Sequence, residues 1–136
     1  MANKHTLKNR QIVFDKFDGR CAYCGTEVTL EVDRFDPSKV MQIDHFQPRM
    51  KKVDPKFLEI QGMEKGTNKI NNLYPACKGC TASKKDRTIE EWREILNNMV
   101  NWLFDNSSQF RTVVRFGLVN TISRRVEFYF EKRSRH

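Results

Sequence analysis

The apolar and polar positions along this chain of 136 residues predict several short elements. Residues 6–17 carry apolar side chains at helical spacing, and Thr6 stands where an N-cap belongs, so a helix is predicted there. Short apolar runs at residues 26–33 and 40–46 flank the turn sequence Phe-Asp-Pro-Ser-Lys, which predicts two short strands. Residues 73–76 predict a further extended piece.

The later part of the chain predicts helices and a hairpin. Residues 77–86 begin as a cysteine turn and continue as a helix. Thr88 and Glu91 form a capping box, and the apolar residues after them recur every three or four positions, which predicts a helix to about Asp105. Residues 107–136 place β-branched and aromatic side chains at alternate positions, which predicts a β-hairpin.

Length and composition are typical of one small domain. The residues are 38% apolar and 31% charged, which leaves room for one modest core. No apolar run is long enough to span a membrane. The polar start of the chain lacks the apolar segment of a signal peptide, so we expect no membrane partner and a cytoplasmic location.

The net charge is +8 and the sequence pI is about 9.5, which indicates a polyanionic partner such as nucleic acid. Residues 47–87 carry ten basic and four acidic residues, and residues 107–136 carry seven and two. An acidic stretch, residues 88–106, lies between these blocks. A single charged run is usually a solvated surface, but two basic blocks beside a metal-site pattern favour nucleic-acid binding.

All four cysteines fall into two Cys-x-x-Cys pairs, Cys21 with Cys24 and Cys77 with Cys80. Two such turns can supply the tetrahedral four-sulfur shell that structural Zn²⁺ prefers. A disulfide framework would need an oxidising compartment, and a redox Cys-x-x-Cys normally occurs as one pair in a βαβ setting. The spacing therefore favours a structural zinc, on which a domain this small would depend for much of its stability.

The candidate for chemistry between the cysteine pairs is Asp44-His45. A carboxylate offers a metal ligand, and the adjacent imidazole can take up a proton near neutral pH. On a regular strand the two side chains point to opposite faces, but Pro48 indicates that the strand ends nearby. A lone histidine is more often a structural hydrogen-bonding residue, so the pair needs its context to predict a function.

That context is the order of three motifs: Cys-Ala-Tyr-Cys-Gly, then Ile-Asp-His-Phe-Gln-Pro, then Asn-Asn-Leu-Tyr-Pro-Ala-Cys-Lys-Gly-Cys-Thr-Ala-Ser-Lys-Lys. In this order, over residues 21–87, the chain resembles the HNH endonuclease family in its zinc-knuckle form. The resemblance implies an α+β fold with a small zinc-stabilised ββα-metal core of treble-clef type. We expect one HNH-type domain over residues 1–136, with an N-terminal helix at 1–20, a helix at 88–106 and the basic hairpin at 107–136.

The resemblance also implies roles for site residues. His45 matches the general base that takes a proton from the attacking water, and Asn72 matches the residue that holds the loop and orients that base. Asp44 matches a ligand of a catalytic divalent ion, Mg²⁺ or Mn²⁺. Lys84 or Lys85 matches a helix residue that contacts phosphate.

One residue departs from the family pattern. The position after the last cysteine is normally His or Asn and completes the catalytic metal site, whereas this chain has Thr81. A threonine hydroxyl is a weaker ligand, although it can bind Mg²⁺ directly or through water. Three outcomes stay open: Thr81 binds the ion, another group replaces it, or the site binds DNA with little or no cutting. The candidate replacements are Asn68, Asn71 and Ser83.

The leading prediction is a metal-dependent HNH endonuclease that hydrolyses phosphodiester bonds of double-stranded DNA. The alternatives are a DNA-binding or regulatory protein with a degenerate site, and a zinc-knuckle protein that binds a protein partner. One HNH site cuts one strand, so a double-strand break would need a homodimer or two visits. The basic residues of the hairpin are expected to grip the DNA backbone; they are Arg111, Arg115, Arg124 and Arg125.

Overall fold

The computed structural model describes most of the chain, namely residues 6–31, 35–50 and 53–134. The chain divides into two compact units, one of Met1–Ile89 with Phe128–His136 and one of Glu90–Glu127. Each unit is described by itself below. The single domain predicted over the whole chain stays a prediction.

The first unit begins with helix α1, Leu7–Lys16, as the apolar spacing predicts. The Thr6 side chain accepts a hydrogen bond from a first-turn amide at 3.1 Å, which satisfies one of the free donors at the start of the helix. Near the other end, the Lys16 ammonium donates to the carbonyls of Ile70 and Leu73, the second at 2.7 Å. The helix is thereby joined to the segment that enters the sheet.

A two-stranded antiparallel sheet lies at the centre of the first unit. Strand β1, Gln42–His45, pairs with β2, Leu73–Ala76, in a register that sets Asp44 opposite Tyr74. Both strands fall where the sequence predicts extended chain. The catalytic candidates of β1 are thus fixed against a strand that leads into the second cysteine pair.

The strand predicted over residues 26–33 is wrong for the described part of that range, which forms only isolated bridges. Its amides bond to two different segments: Val28 donates to Gly19 at 2.9 Å, and Thr29 donates to the 3₁₀ turn Pro37–Lys39 at 2.8 Å. Because the partners change from one residue to the next, no ladder can extend. The last two residues of the predicted range lie outside the described residues.

The connection between the strands contains two short helical pieces. Helix α2, Pro55–Ile60, is capped by the Asp54 side chain, and Pro55 occupies the first position, where an amide would have no partner. A 3₁₀ turn, Ile70–Asn72, leads directly into β2. This polar connection is therefore ordered where it approaches the sheet.

Helix α3, Lys78–Lys84, follows β2 directly. Cys77 caps it, because its backbone is extended and its Sγ accepts a hydrogen bond from the Cys80 amide at 3.4 Å. Strands β1 and β2 with α3 form the ββα arrangement that the resemblance implies, within a mixed α+β fold. The prediction of the fold class is confirmed for this part of the chain.

The end of the chain returns to the first unit as helix α7, Tyr129–Ser134. The amides of Tyr129 and Phe130 donate to the carbonyls of Tyr23 and Ala22, at 2.9 and 2.8 Å. This helix is thus anchored on the first cysteine turn. Aromatic rings pack together in the core with neighbouring centroids between 4.7 and 6.5 Å apart; they belong to Phe17, Tyr23, Phe46, Tyr74, Phe128 and Phe130.

The second unit carries its regular structure as helices. These are α4, Ile89–Asn97, which starts at the boundary residue, α5, Met99–Asn106, and α6, Ser108–Arg115. The single helix predicted from Thr88 to Asp105 is divided at Asn98, whose side-chain amide donates to the Glu94 carbonyl at 2.8 Å. Among the helices that the structure describes, none combines the length and the apolar character that crossing a bilayer requires.

The β-hairpin predicted for residues 107–136 is wrong over its described part, which contains helices α6 and α7 and no strand. The alternating pattern also contains a helical one, because Phe110, Val113 and Val114 are spaced by three and four. Ser107 favours the helix, since its side chain accepts a hydrogen bond from the Phe110 amide at 3.1 Å. The last two residues of the predicted hairpin lie outside the described residues.

Candidate functional site

Four cysteine thiols meet between the first cysteine turn and α3. Their Sγ atoms all lie within 4.8 Å of one another, and the sulfurs of Cys24 and Cys77 are 3.7 Å apart. A tetrahedral ion with metal–sulfur bonds of about 2.3 Å would set its sulfur ligands about 3.8 Å apart. All four are free thiols, so the predicted set can hold a metal ion; its members are Cys21, Cys24, Cys77 and Cys80.

The thiols compete for protons because they are crowded and partly buried. A hydrogen bond from Cys80 lowers the pKa of Cys21 to about 5, and the same bond, followed by burial, holds the pKa of Cys80 far above its usual value. Burial raises the pKa of Cys24 to about 11. A cation among the sulfurs would stabilise thiolates in this crowded site, and a bound metal ion supplies such a charge.

Asp44 lies within β1 and is 7% exposed. Its Oδ2 accepts a hydrogen bond from the Tyr23 hydroxyl at 2.5 Å and pairs with the Lys84 ammonium at 3.0 Å. Burial, followed by the charge of Asp44, raises the pKa of Tyr23 well above its usual value, so the hydroxyl stays a donor. Tyr23 belongs to the first cysteine turn, and Lys84 belongs to α3, which follows the second cysteine turn. The Asp44 carboxylate is therefore held by residues from both segments that carry the cysteines.

His45 is the last residue of β1. Its Nε2 lies 2.7 Å from Asn68 Oδ1, and its main-chain carbonyl accepts a hydrogen bond from the Lys84 ammonium at 3.0 Å. Although Asp44 and His45 are neighbours in a strand, both line one open groove of about 390 Å³. The strand ends at His45, which allows the two side chains to reach the same space.

Of the two lysines predicted to contact phosphate, only Lys85 is placed for that role. Lys84 is 0% exposed, because its ammonium is bonded to Asp44 and to the His45 carbonyl. Lys85 is exposed, and it lines the groove together with Arg49. The helix ends at Lys84, and Lys85 has a left-handed backbone with φ of +53°, so the two side chains do not share one face.

The Thr81 hydroxyl donates a hydrogen bond to the Cys77 carbonyl at 3.0 Å, one turn earlier in α3. Thr81 is not among the residues that line the groove with Asp44 and His45. Of the predicted replacements, Asn68 is the residue that the structure brings to His45. Asn71 instead lines a separate groove of about 560 Å³, and Ser83 lies half-buried on α3.

Asn72 holds the loop that follows His45. Its Nδ2 donates to the carbonyls of Gln47 and Thr67 at 3.0 and 2.8 Å, and its Oδ1 accepts from the Gln47 amide at 2.9 Å. The Asn72 carbonyl also accepts from the Phe46 amide at 2.9 Å. The structure therefore places Asn72 where it can hold the loop, while the direct side-chain partner of His45 is Asn68.

Gly66 allows this loop to close. Its amide donates to the Pro48 carbonyl at 2.7 Å, and a Cβ at this position would lie 1.7 Å from the Gln47 carbonyl oxygen. Only glycine permits such a close approach of two backbones. The Gln47 side chain adds a bond to the Glu64 carbonyl at 2.9 Å, which ties the same two segments together.

The four predicted DNA-contacting arginines belong to the second unit, on α6 and on the non-helical stretch after it. Arg111 donates to the Phe104 carbonyl at 2.7 Å and is half-buried. Arg115 is exposed, with a contact of 3.2 Å to Thr112. Arg124 and Arg125 are also exposed, and Arg125 lies 4.0 Å from Glu90.

Sequence reasoning missed Tyr23 as the partner of Asp44, Asn68 as the partner of His45, and Gly66 as a close-approach residue. The sequence did give one indication for Tyr23. It lies between two predicted metal ligands, Cys21 and Cys24, so its position in the structure depends on theirs. Asn68 and Gly66 lie in the polar connection, where no periodic pattern indicates which side chains return to the sheet.

The matched region can be compared with known proteins. No family model matches the sequence. Over 78 residues, 57% of this chain, the sequence is 33% identical to "SPbeta prophage-derived putative HNH endonuclease YoqL" of Bacillus subtilis (strain 168), and the match covers 28% of that protein. The chain thus spans little more than a quarter of the length of this curated relative.

A solved structure shows a weaker similarity. The type II-C Cas9 enzyme from Actinomyces naeslundii aligns with 68% of this chain and 8% of its own, at a TM-score of 0.46 and 19% sequence identity. Similarity at this level supports no conclusion about the chain, whose chemistry follows from its own residues.

Proposed function

We propose that this chain hydrolyses phosphodiester bonds of double-stranded DNA, a proposal that the HNH-like motifs and the partial match to YoqL support. The observation that supports this most strongly is the placement of Asp44 and His45 on one groove, with Lys85 on its wall. An oxygen ligand, a base and a cation are the groups that this hydrolysis needs. The net charge of +8 suits a polyanionic substrate.

The four cysteines are assigned to one structural Zn²⁺. A closed set of four sulfur ligands is typical of structural zinc and leaves no open position for a substrate. The sulfur spacing of 3.7 Å between Cys24 and Cys77 agrees with a tetrahedral ion of this size. The ion would join the first cysteine turn to α3. It would thereby also fix Tyr23 and Lys84, the two residues that contact Asp44.

The groove also fits a catalytic Mg²⁺ or Mn²⁺. Within the described residues, the contacts of the Asp44 carboxylate involve Oδ2, so Oδ1 is the oxygen left for a cation. Mg²⁺ is commonly held by one or two carboxylates, with water and substrate phosphate completing its shell. Asp44 is therefore assigned as a ligand, and Thr81 as a contributor through water at most. The bound ion would neutralise charge on the phosphate and on the leaving oxygen.

His45 is assigned as the general base. Because Asn68 Oδ1 can only accept a hydrogen bond, the neutral imidazole carries its proton on Nε2. Nδ1 is then the nitrogen that can take a proton from the attacking water. Asn68 and Asn72 are positioning residues, since one contacts the imidazole and the other holds the loop after it. Lys85 would contact the substrate phosphate.

A plasmid nicking assay with Mg²⁺ or Mn²⁺ tests this proposal. We expect the natural chain to convert supercoiled DNA to the open-circular form and His45→Ala to lose this activity. Gln42→Ala is the matched control, because Gln42 lies on the same strand and does not line the groove. Zinc content and thermal unfolding of each variant verify that the fold is intact. Nicking by His45→Ala at the natural rate would contradict the proposal.

The second candidate is a DNA-binding protein with an inactive site, which the Thr81 hydrogen bond to Cys77 favours. In that case the natural chain binds DNA without cutting, and Thr81→Asn, which supplies an amide oxygen, gains metal-dependent nicking. The two candidates therefore give opposite results in the same assay. Activity of the natural chain that Thr81→Asn leaves unchanged would exclude the second candidate.

A further inference from the structure

Lys84 is a fully buried cation beside the proposed catalytic groove, and the reaction described above does not use it. Its side chain is 0% exposed. Its ammonium lies 3.0 Å from Asp44 Oδ2, 3.0 Å from the His45 carbonyl oxygen and 6.0 Å from the centre of the Tyr23 ring. A buried charge needs such partners, because removal from water is costly for an unpaired ion.

The ion pair changes what a metal ion would meet at Asp44. The carboxylate is the proposed ligand, but the Lys84 ammonium already balances its charge at contact distance. A divalent cation would therefore approach a neutral pair, with a fixed positive charge on the same carboxylate. A DNA phosphate in the groove would restore the missing negative charge, and Mg²⁺ sites commonly use substrate phosphate as a ligand.

We propose that Lys84 is a charge-setting residue, which keeps the affinity of Asp44 for a divalent ion low in the free protein. The ion then joins the site together with the DNA phosphate and not before it. This inference rests on the proposed function, since it takes Asp44 as the metal ligand. It gives Lys84 a role distinct from the phosphate contact that the family resemblance implies.

The test is Mn²⁺ binding to the zinc-loaded protein without DNA, measured by electron paramagnetic resonance. We expect weak binding by the natural chain and by Lys84→Arg, which keeps the charge. Lys84→Met, which removes it, is expected to bind Mn²⁺ at least about tenfold more tightly. Lys78→Met is the matched control, because Lys78 is exposed on the same helix, and it should bind like the natural chain.

The double variant Asp44→Asn with Lys84→Met removes both charges of the pair and should show no binding at this site. Lys84→Gln provides a second neutral variant, which can still donate to the His45 carbonyl, in case Lys84→Met does not fold. Zinc content and thermal unfolding establish which variants are folded.

Equal Mn²⁺ affinity of the natural chain and a folded neutral variant would overturn the inference. So would tight Mn²⁺ binding by the natural chain that Asp44→Asn abolishes, a result that does not require any Lys84 variant to fold. Failure of the proposed function is a separate result, because it would appear as the absence of His45-dependent nicking. Mn²⁺ binding is measured without DNA and without turnover, and it therefore tests the Asp44–Lys84 pair separately from catalysis.

Discussion

Single residues determine the geometry of the loop after His45, and Asn72 is one of them. Three backbone groups, on Gln47 and Thr67, depend on the Asn72 side chain. We expect Asn72→Ala to lower the free energy of unfolding by about 2 kcal/mol, because these groups lose their partners. Urea denaturation measures the change. Asn71→Ala, at the exposed neighbouring position, should change it by less than about 0.5 kcal/mol, and equal losses would contradict the assigned role.

Gly66 gives a second prediction for the same loop. A Cβ would lie 1.7 Å from the Gln47 carbonyl oxygen, so Gly66→Ala must move the backbone next to His45. We expect a loss of about 3 kcal/mol in the free energy of unfolding. Gly79→Ala is the control, because its Cβ would meet only Cys77 Sγ at 4.0 Å, and thermal unfolding compares the two. A melting temperature of Gly66→Ala equal to that of the natural chain would show that the loop is not closed this way.

Residue type and spacing were enough to predict the cluster of four cysteines, because two Cys-x-x-Cys turns bring their sulfurs together in nearly any fold that joins them. Residue type and spacing were not enough to predict that Lys84 is buried and paired with Asp44. Helical spacing indicates a direction around α3, but it does not reveal that Asp44, forty positions earlier in the chain, lies across from it. The contact of Asn68 with His45 was missed for the same reason, since it depends on the path of the loop.

At the scale of elements, α6 shows how one sequence can support two periods. The alternation that predicts a strand coexists with apolar residues at spacings of three and four. The deciding contact is local: Ser107 caps the helix through the Phe110 amide. The later residues Tyr129 and Phe130 find their backbone partners in the first cysteine turn, a long-range contact that no pattern in the hairpin region indicates.

Removal of the Ser107 cap should therefore destabilise α6. Ser107→Ala is expected to lower the free energy of local unfolding of α6 by about 1 kcal/mol, because the first-turn amide loses its acceptor. Hydrogen exchange of the α6 amides measures this local opening. Ser108→Ala is the matched control, since Ser108 is the first helical residue and its hydroxyl contacts the neighbouring, exposed Gln109 side chain. Similar exchange rates in both variants would rule out Ser107 as the cap that maintains this helix.

For the whole molecule, the proposed zinc connects stability with the site, because Tyr23 and Lys84 both reach Asp44 from elements that carry the cysteines. We expect one zinc per chain, released by a strong chelator with loss of the folded first unit. The two units differ in their aromatic residues, so their spectroscopic signals can be distinguished. The chain's three tyrosines lie in the first unit, whereas Trp92 and Trp102 lie in the second. Near-ultraviolet circular dichroism should lose its tyrosine signal when zinc leaves. An unchanged tyrosine signal in zinc-free protein would contradict the role of the metal.

Three exposed arginines of the second unit lead to the last prediction, which concerns DNA affinity as a whole. These exposed arginines are Arg115, Arg124 and Arg125. The ion pair of Arg125 with Glu90 is long and screened by solvent, so it contributes little. Each guanidinium can therefore bind a DNA phosphate. Each phosphate contact releases counterions, and its loss should reduce the slope of log affinity against log salt by about 0.9. Replacing all three by Gln should therefore lower the slope by up to about 2.7, without changing the pattern of nicking sites. Lys85→Gln serves as the contrast, because Lys85 lines the groove and its loss should slow nicking more than it weakens binding. A salt slope that the triple variant leaves unchanged would mean that these arginines do not contact DNA, and that the basic residues of the first unit account for the affinity.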